Sequence, residues 1–511
     1  MTTRMDADPA ENLLSPARRA MILLAIVLGN SLYSTALLMT STILPQMQGA
    51  LSATQDEIAW VMTFNILATA VVTPMSGWLA GRFGAKSVTV WGMLIFSAST
   101  FMCGLSQSLE ELVFWRIVQG ASGAPVVPLS QSILLETFPR RQQAMALSVF
   151  GMAVGVAPVI GPVVGGYLAE LYGWRWSFYI LVPSGLIAVA ALHLALVKSP
   201  VLDRRQLDWT GFLALAIAMG GVQLVLARGV RLDWFQSTEI IVECVLAVIA
   251  FYVFIIHCLT SRTPFLNLWL LKDRNYAIGL ALVTLYGMLN FTPMVLLPPL
   301  LQQHAGFPDT LVGMVIGARG AGMSVGFLMA GLTARLDPRI GMTIGFVLQA
   351  ASGLWMVTFD LNVSMHTLVV NSLVQGFAVG LIWVPLSVVT FDTLAPEHRP
   401  EAAAVLHLLR NIGSSFFISL SVAEIVRATG ANYSRMTEMI TPFNPALSLP
   451  SATGAWDVES TAGLAKIARE ITRQATMLGY LNAFVMYTAA SVFAVGLVFL
   501  VQRRGRQPGA M

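Results

Sequence analysis

Apolar runs of about twenty residues recur along almost the whole chain, and they decide what it can fold into. Their approximate cores lie at 20–44, 57–79, 86–106, 110–134, 142–168, 175–197, 210–228, 239–259, 276–301, 310–332, 340–358, 366–390, 402–426 and 480–502. Crossing the hydrocarbon core of a bilayer takes roughly 20 helical residues. In lipid every backbone polar group must be satisfied within the protein, so runs of this length become helices. Only 11% of the residues are charged and 56% are hydrophobic; soluble domains carry roughly 25% charged residues. The expected class is an all-α polytopic membrane protein.

Charge placement sets the topology. Short loops on the cytoplasmic side carry an excess of Lys and Arg. With the N-terminus inside, the inside segments hold Arg82 and Lys86, Arg140 and Arg141, and Lys198, Arg204 and Arg205. Arg262, Lys272 and Arg274, then Arg335 and Arg339, Arg399, and Arg503, Arg504 and Arg506 complete them. The outside segments hold Arg175, and Arg228 with Arg231. The alternation puts both termini inside and requires an even number of spans, here fourteen. Residues 1–19 read as a cytoplasmic tail, because the run after Arg18 and Arg19 is too long for a signal-peptide core of about 7–15 residues. The spans near 210–228 and 239–259 are bounded by charged loops and look inserted. Removing them leaves six spans on each side, the pattern of a repeat-built transporter. The expected organisation is a bundle over 20–197, two additional helices with linkers over 198–275, and a second bundle over 276–502. A long external loop at 427–478 lies in the second bundle, and 503–511 is a cytoplasmic tail. Within the loop, 461–478 has helix-like spacing.

Several function classes fall away. The net charge of +4 comes from basic residues scattered between apolar runs, which marks topology and not nucleic-acid binding. Cys103, Cys244 and Cys258 all lie in apolar runs, so neither a disulfide framework nor a metal site is expected. Gly322 to Gly326 matches G-x-S-x-G but sits inside an apolar helix, without the strand–turn–helix setting of a hydrolase. The same glycines, with Gly313 and Gly317 upstream, suit a packing face. No phosphate-binding loop is present, so transport would run on an ion gradient or downhill. No enzyme activity and no cofactor are expected.

The stretch Gly151 to Gly166, GMAVGVAPVIGPVVGG, stands out from the other runs. Gly151 with Gly155, and Gly161 with Gly165, form two GxxxG pairs that let a neighbouring helix approach closely. Pro158 and Pro162 remove two N–H groups from one face. The pattern predicts a bendable helix packed tightly at a place that moves. Three cations fall inside spans: Arg116, Arg319 and Arg410. Each costs roughly 2.5–3.5 kcal/mol at a helix centre on insertion scales, so each is a functional candidate. Acids lie near span ends: Asp56 and Glu57, Glu136, Asp392 and Glu424. Gln119, Gln131, Asn290, Asn371, Gln375 and Asn411 could line a pathway together with Arg319 and Arg410.

Taken together, these stretches resemble the major facilitator superfamily, and within it the fourteen-helix drug:proton antiporters of the EmrB/QacA type. GVAPVIGPVVGG at 155–166 is similar to the antiporter signature of the fifth helix, with Gly155, Pro158, Gly161, Pro162, Gly165 and Gly166. LVFWRIVQG at 112–120 resembles the fourth-helix motif, whose arginine is Arg116. GWLAGRFG at 77–84 resembles the gating loop between helices two and three, with Gly77, Arg82 and Gly84, and GLTARLD at 331–337 is its weaker copy. WRWSF at 174–178 with Pro183, LSATQDEIAW at 51–60 and Ala318-Arg319-Gly320 are similar to family segments as well. The resemblance implies a major facilitator fold of two six-helix bundles plus two inserted helices. It also implies multidrug efflux across the inner membrane, with amphipathic compounds exported in exchange for protons. The alternatives are a proton-coupled uptake permease and an exporter of one specific metabolite. EmrB-like pumps work with a periplasmic adaptor protein and an outer-membrane channel, so such partners are expected at the 427–478 loop. Three positions depart from the family pattern: Ala36 where an acid is usual, Ser41 for an asparagine, and Gly81 for the loop acid. Without an acid at Ala36, proton coupling is expected to use Asp56 or Glu136, biased by the charge of Arg116.

Overall fold

A computed structural model describes residues 14–197, 207–261, 264–332, 337–395, 398–441, 443–445, 456 and 460–502. The two tails, most of GLTARLD and much of the 442–459 segment therefore lie outside the described residues. The first six helices are α1 (Pro16–Ala50), α2 (Trp60–Phe83), α3 (Ala85–Leu105), α4 (Leu109–Thr137), α5 (Arg140–Tyr172) and α6 (Arg175–Ala195). Next come α7 (Trp209–Arg228) and α8 (Thr238–Thr260). The last six are α9 (Arg274–His304), α10 (Asp309–Leu332), α11 (Pro338–Met356), α12 (Met365–Asp392), α13 (Arg399–Thr437) and α14 (Thr461–Val498). Among the described residues, thirteen helices are long and apolar enough to cross a membrane. The fourteenth expected span is α11, a helix of 19 residues. Arg339 near its start and the buried Gln349 and Ser352 make it less apolar.

Local chemistry explains where these helices start and bend. Ser15 caps α1 by accepting from the Arg18 N–H at 3.3 Å, and Pro16 fills the first turn, where no N–H is needed. Before α2, Thr54 and Glu57 form a reciprocal capping box. The Thr54 N–H and hydroxyl donate to Glu57 at 2.9 and 2.8 Å and hold its carboxyl below the usual carboxylate range. Proline interrupts three spans. A 3₁₀ turn at Thr73–Met75 interrupts α2 at Pro74, and α4 breaks between Gly123 and Val126 beside Pro125. After Pro298 and Pro299, α9 ends in a π-helical turn, Leu300–His304.

Apolar clusters gather α1, α3, α4, α5 and α6 on one side, and α9 to α14 on the other. The pair α7–α8 stands at one edge. Its helices meet where Gly221 lies against Ala247 and the Glu243 carbonyl. Arg228 pairs with Glu239 and Glu243 at the outer end, and Asp208 pairs with His257 at the inner end. Towards the bundles, α7 meets Leu67 of α2 through Gly220, and its Leu226 carbonyl accepts from Ser419 of α13. On α8, Val245, Leu246, Val248, Ile249 and Tyr252 are exposed, as a lipid-facing helix requires.

The outer ends correct the sequence reading. The last spans were expected to stop near 426 and to begin near 480. Instead α13 runs on to Thr437, and α14 starts at Thr461 as one helix through the expected separate segment 461–478. Among the described residues of α14 no proline interrupts the backbone, so polarity changes along the helix while the helix continues. Helices of 39 and 38 residues are about 57 Å long at 1.5 Å per residue, against a hydrocarbon core of about 30 Å. Both therefore project from the outer face.

Candidate functional site

The site forms where the two sides of the molecule meet. Along this seam α5 runs against α10. Gly331 lies against Ser148, Gly151 against Phe327, Gly155 against Met323, and Val159 against Gly320. Further out, Gly313 and Gly317 have nothing within 4 Å of an added Cβ. This corrects their expected place in a packing face. Closer to the cytoplasm the seam is reinforced by α13. A Cβ at Gly77 would fall 3.0 Å from Glu401 Cα, and Arg399 donates to the Leu135 carbonyl at 3.3 Å. The α5–α10 contact is thus close from Gly331 to Gly320 and is not continued at Gly317 and Gly313.

A small cavity of about 30 Å³ lies in this seam. Phe150, Gly151, Val154 and Gly155 of α5 form one wall. Tyr286, Asn290, Phe291 and Met294 of α9, Met323 and Phe327 of α10, Trp383 of α12 and Arg410 of α13 form the rest. The lining is mostly aromatic and methionine, surfaces that adapt to varied apolar shapes. Its one cation is Arg410, whose guanidinium carbon sits 5.4 Å from the Trp383 ring centroid and whose donors reach Asn411 at 3.3–3.4 Å.

Two further buried arginines form matching nodes, one on each side. On α4, Arg116 donates to the Val61 carbonyl at 3.2 Å and to Gln119 Oε1 at 2.5 Å, and touches Met62 Sδ at 3.7 Å. Gln119 in turn donates to Thr100 of α3 at 2.6 Å, and Asn65 of α2 donates to the Arg116 carbonyl at 2.8 Å. On α10, Arg319 donates to Gln375 Oε1 at 2.5 Å and to the Asn290 carbonyl at 2.6 Å. Gln375 donates to Asn371 at 3.0 Å, and Asn371 to the Ser352 carbonyl at 3.0 Å. Among the described residues no carboxylate pairs with Arg116, Arg319 or Arg410.

The expected site residues therefore separate. Asn290 and Arg410 line the cavity. Gln119 and Gln375 are engaged in satisfying buried arginines, because a buried donor without a partner is costly, and Asn371 holds Gln375. Asn411 holds Arg410. Gln131 faces His407 across the seam, Nε2 to Oε1 2.6 Å. Glu136 is exposed at the cytoplasmic end of α4 and accepts from Ser132 at 3.1 Å. Asp56 lies in the first turn of the helix that the capping box starts, and its side chain lies outside the described residues, as do those of Pro158 and Pro162. Arg82 is exposed. Gly84 has φ +83°, the left-handed region that favours glycine, and so turns α2 into α3. Gly322 and Gly326 press on the Leu373 and Phe377 carbonyls of α12, and Ser324 bonds the Gly320 carbonyl at 3.0 Å. The G-x-S-x-G match is helix packing.

The α5 glycines serve two partners. Gly151 and Gly155 face α10 across the seam, while Gly161 and Gly165 face Thr35 and Met39 of α1 within their own side. Gly166 meets only Thr42 Cγ2, at 3.4 Å. Sequence reasoning passed over Tyr286, Met294, Trp383 and His407, since an aromatic, methionine or lone histidine in an apolar run carries no spacing signal.

Comparison with known proteins agrees with this architecture. Residues 26–292 and 279–424 match the Major Facilitator Superfamily. The chain is 32% identical over 463 residues to the multidrug export protein EmrB of Escherichia coli K12, covering 90% of each protein. It is 32% identical over 474 residues to EmrB of Haemophilus influenzae, covering 90% of this chain and 91% of that one. The proton:xylose symporter XylE bound to 6-bromo-6-deoxy-D-glucose superposes with a TM-score of 0.62 at 12% identity, over 95% of this chain and 96% of XylE, which speaks to the fold. The chain belongs to the Major Facilitator Superfamily, in the branch that holds the EmrB proteins.

Proposed function

We propose that the protein is a secondary active exporter that moves lipophilic or amphipathic compounds outward across the inner membrane in exchange for protons. The observation that carries this is the aromatic- and methionine-lined cavity in the seam between the two sides, beside close α5–α10 and α2–α13 contacts. Aromatic and methionine walls with a single cation and a single asparagine recognise shape loosely. A permease for one nutrient would need a substrate-matched set of polar groups there. The test is expression in cells stripped of other efflux pumps, scored for survival on a panel of toxic amphiphiles with and without a proton ionophore. Protection that the ionophore removes is expected. No protection, with growth on one nutrient becoming dependent on the gene, would favour uptake.

The cavity charge sets a preference. Arg410, unpaired with any described carboxylate, attracts anionic and tolerates neutral amphiphiles, and repels cations in a low-dielectric site. Arg410→Gln is expected to slow export of an amphipathic anion about tenfold, the loss of about 1.4 kcal/mol. Export of a neutral analogue of the same skeleton should change little. Equal losses for both, measured as initial efflux rates, would show that Arg410 is scaffold.

The projecting ends of α13 and α14 are the proposed contact for a periplasmic adaptor, which would pass substrate to an outer-membrane channel. Apolar Met439 and Phe443, just beyond α13, and Leu464 of α14 are exposed. Arg473 donates to the His304 carbonyl at 2.6 Å and steadies the projection on α9. A photocrosslinker at Phe443 or at Lys466 should capture one membrane-anchored periplasmic protein in intact cells. Capture of nothing, or unchanged protection of cells after shortening the 442–459 segment, would assign the projection to capping the cavity.

A further inference from the structure

Beneath the cavity, one buried pair joins the two sides of the molecule. His407 of α13 is 2% exposed and Gln131 of α4 is 0% exposed. Their side chains meet at 2.6 Å, Nε2 to Oε1. Each also has an atom with no partner among the described residues: the second ring nitrogen, Nδ1, of His407, and Nε2 of Gln131. Buried polar atoms are nearly always bonded, so two orphans in one contact need an explanation. Flipping the Gln131 amide moves the orphans and does not remove them. The ring lies 5.8 Å from that of Trp383, which lines the cavity, and one turn from Arg410, which also lines it. On a helix that runs from inside to outside, His407 comes before Arg410. It therefore sits between the cavity and the cytoplasmic closure.

We propose that His407 is the group that carries the proton, and that its bond to Gln131 is the latch by which protonation controls the cytoplasmic seam. This rests on the proton-exchange reading above and names its coupling residue. Imidazole is the side chain whose charge ordinarily changes near neutral pH. In the closed seam the neutral ring donates Nε2–H to Gln131 Oε1, leaving the Nδ1 lone pair open. Hydronium arriving from external water through the cavity gives its proton to Nδ1: the N–H bond forms as the O–H bond breaks, and water is left. The ring is then a cation held in a dry contact, which is unfavourable. The charge that bears on it is Arg410, of like sign on its own helix. The surrounding elements offer no described counter-charge in contact. Gln131 faces it from α4, with exposed Glu136 further toward the cytoplasm, Trp383 from α12, and the phenols of Tyr286 and Tyr276 from α9, stacked on Trp383 and bonded to the Ala402 carbonyl. Opening the seam hydrates the cation and lets the proton leave to the cytoplasm. The neutral ring can then close on Gln131 again. The direction is right for an exporter: protonation from outside drives the empty carrier to face inward.

The test needs no substrate, so its outcome is separate from whether export of any compound is observed. Cys103, Cys244 and Cys258 are replaced by alanine, and spin labels are placed at Gln142→Cys and Ile340→Cys, both exposed at the cytoplasmic ends of α5 and α11. The full chain is reconstituted in lipid, and the label separation is read from alkaline to mildly acidic pH. A shift to longer separations on acidification is expected, and His407→Gln should abolish it while keeping an amide that can bond Gln131. Gln131→Glu places a carboxylate against the ring, holds the imidazolium charged, and should move the midpoint of the shift to higher pH. That readout follows charge, and a merely structural contact would not move it. An unchanged pH response in His407→Gln, no response in the parent, or an unmoved midpoint in Gln131→Glu would each overturn the proposal.

Discussion

Gly161→Leu is expected to insert normally and to lose export by more than about tenfold. A Cβ at Gly161 would fall 2.6 Å from the Thr35 carbonyl oxygen and 3.3 Å from the Met39 nitrogen. Both are backbone atoms of α1, which cannot swing aside as a side chain can. Overpacking costs about 1–3 kcal/mol, and about 1.4 kcal/mol is a factor of ten in a population. That strain forces α5 off α1. The same helix carries Gly151 and Gly155 against α10, so the displacement reaches the seam. The neighbouring position supplies the control. Gly166→Ala adds its methyl 3.4 Å from Thr42 Cγ2 alone, and its efflux rate should match the parent. Gly155→Ala is intermediate, because the obstructing atom is the flexible end of Met323. Efflux rates normalised to membrane abundance check the series. Normal efflux by Gly161→Leu would show that the α1–α5 approach is not required for transport.

Much of the fold was legible because a bilayer imposes length, polarity and loop charge together. Runs of apolar residues and basic inside loops predicted the helices and their order. Limits failed where those signals end. Outside the membrane, polar α13 and α14 continue as helices, and hydropathy has nothing to say about a helix in water. The site was only partly legible. GxxxG spacing announced close packing in α5, but not that successive pairs address α10 and α1. Arg116, Arg319 and Arg410 were found because a charge in an apolar run is conspicuous. Their environments were not, since Gln375 reaches Arg319 from 56 positions away and no local spacing encodes that. The amides looked like cavity lining and turned out mainly to satisfy arginines. His407 and Gln131, 276 positions apart, become a feature only when two helices from opposite sides meet.

The second large effect is expected at Arg116. Arg116→Ala should reduce export to background while membrane abundance stays near that of the parent. The arginine is 1% exposed and joins α4 to α2 through the Val61 carbonyl, and to α3 through Gln119 and Thr100. Removing it leaves a carbonyl and an amide oxygen without their donor, at about 1–3 kcal/mol each. Such a loss loosens three helices without denying them the bilayer, which still requires each span to be helical. It also deletes a positive charge that no described carboxylate offsets, and so changes the potential felt by any proton or anion crossing this side. Arg116→Lys separates the two contributions. Lysine keeps the charge, but its ammonium is a point donor on a flexible stem and cannot hold the Val61 carbonyl and Gln119 in the fixed fork of a guanidinium. Loss of export in both variants, with both abundant, assigns the role to geometry. Recovery in the lysine variant assigns it to charge. Export at the parent rate by an abundant Arg116→Ala protein would remove the node from the mechanism altogether. Degradation of both variants would make it a scaffold. The corresponding Arg319→Ala protein then tells whether the two sides of the molecule, built around similar nodes, contribute equally to the switch.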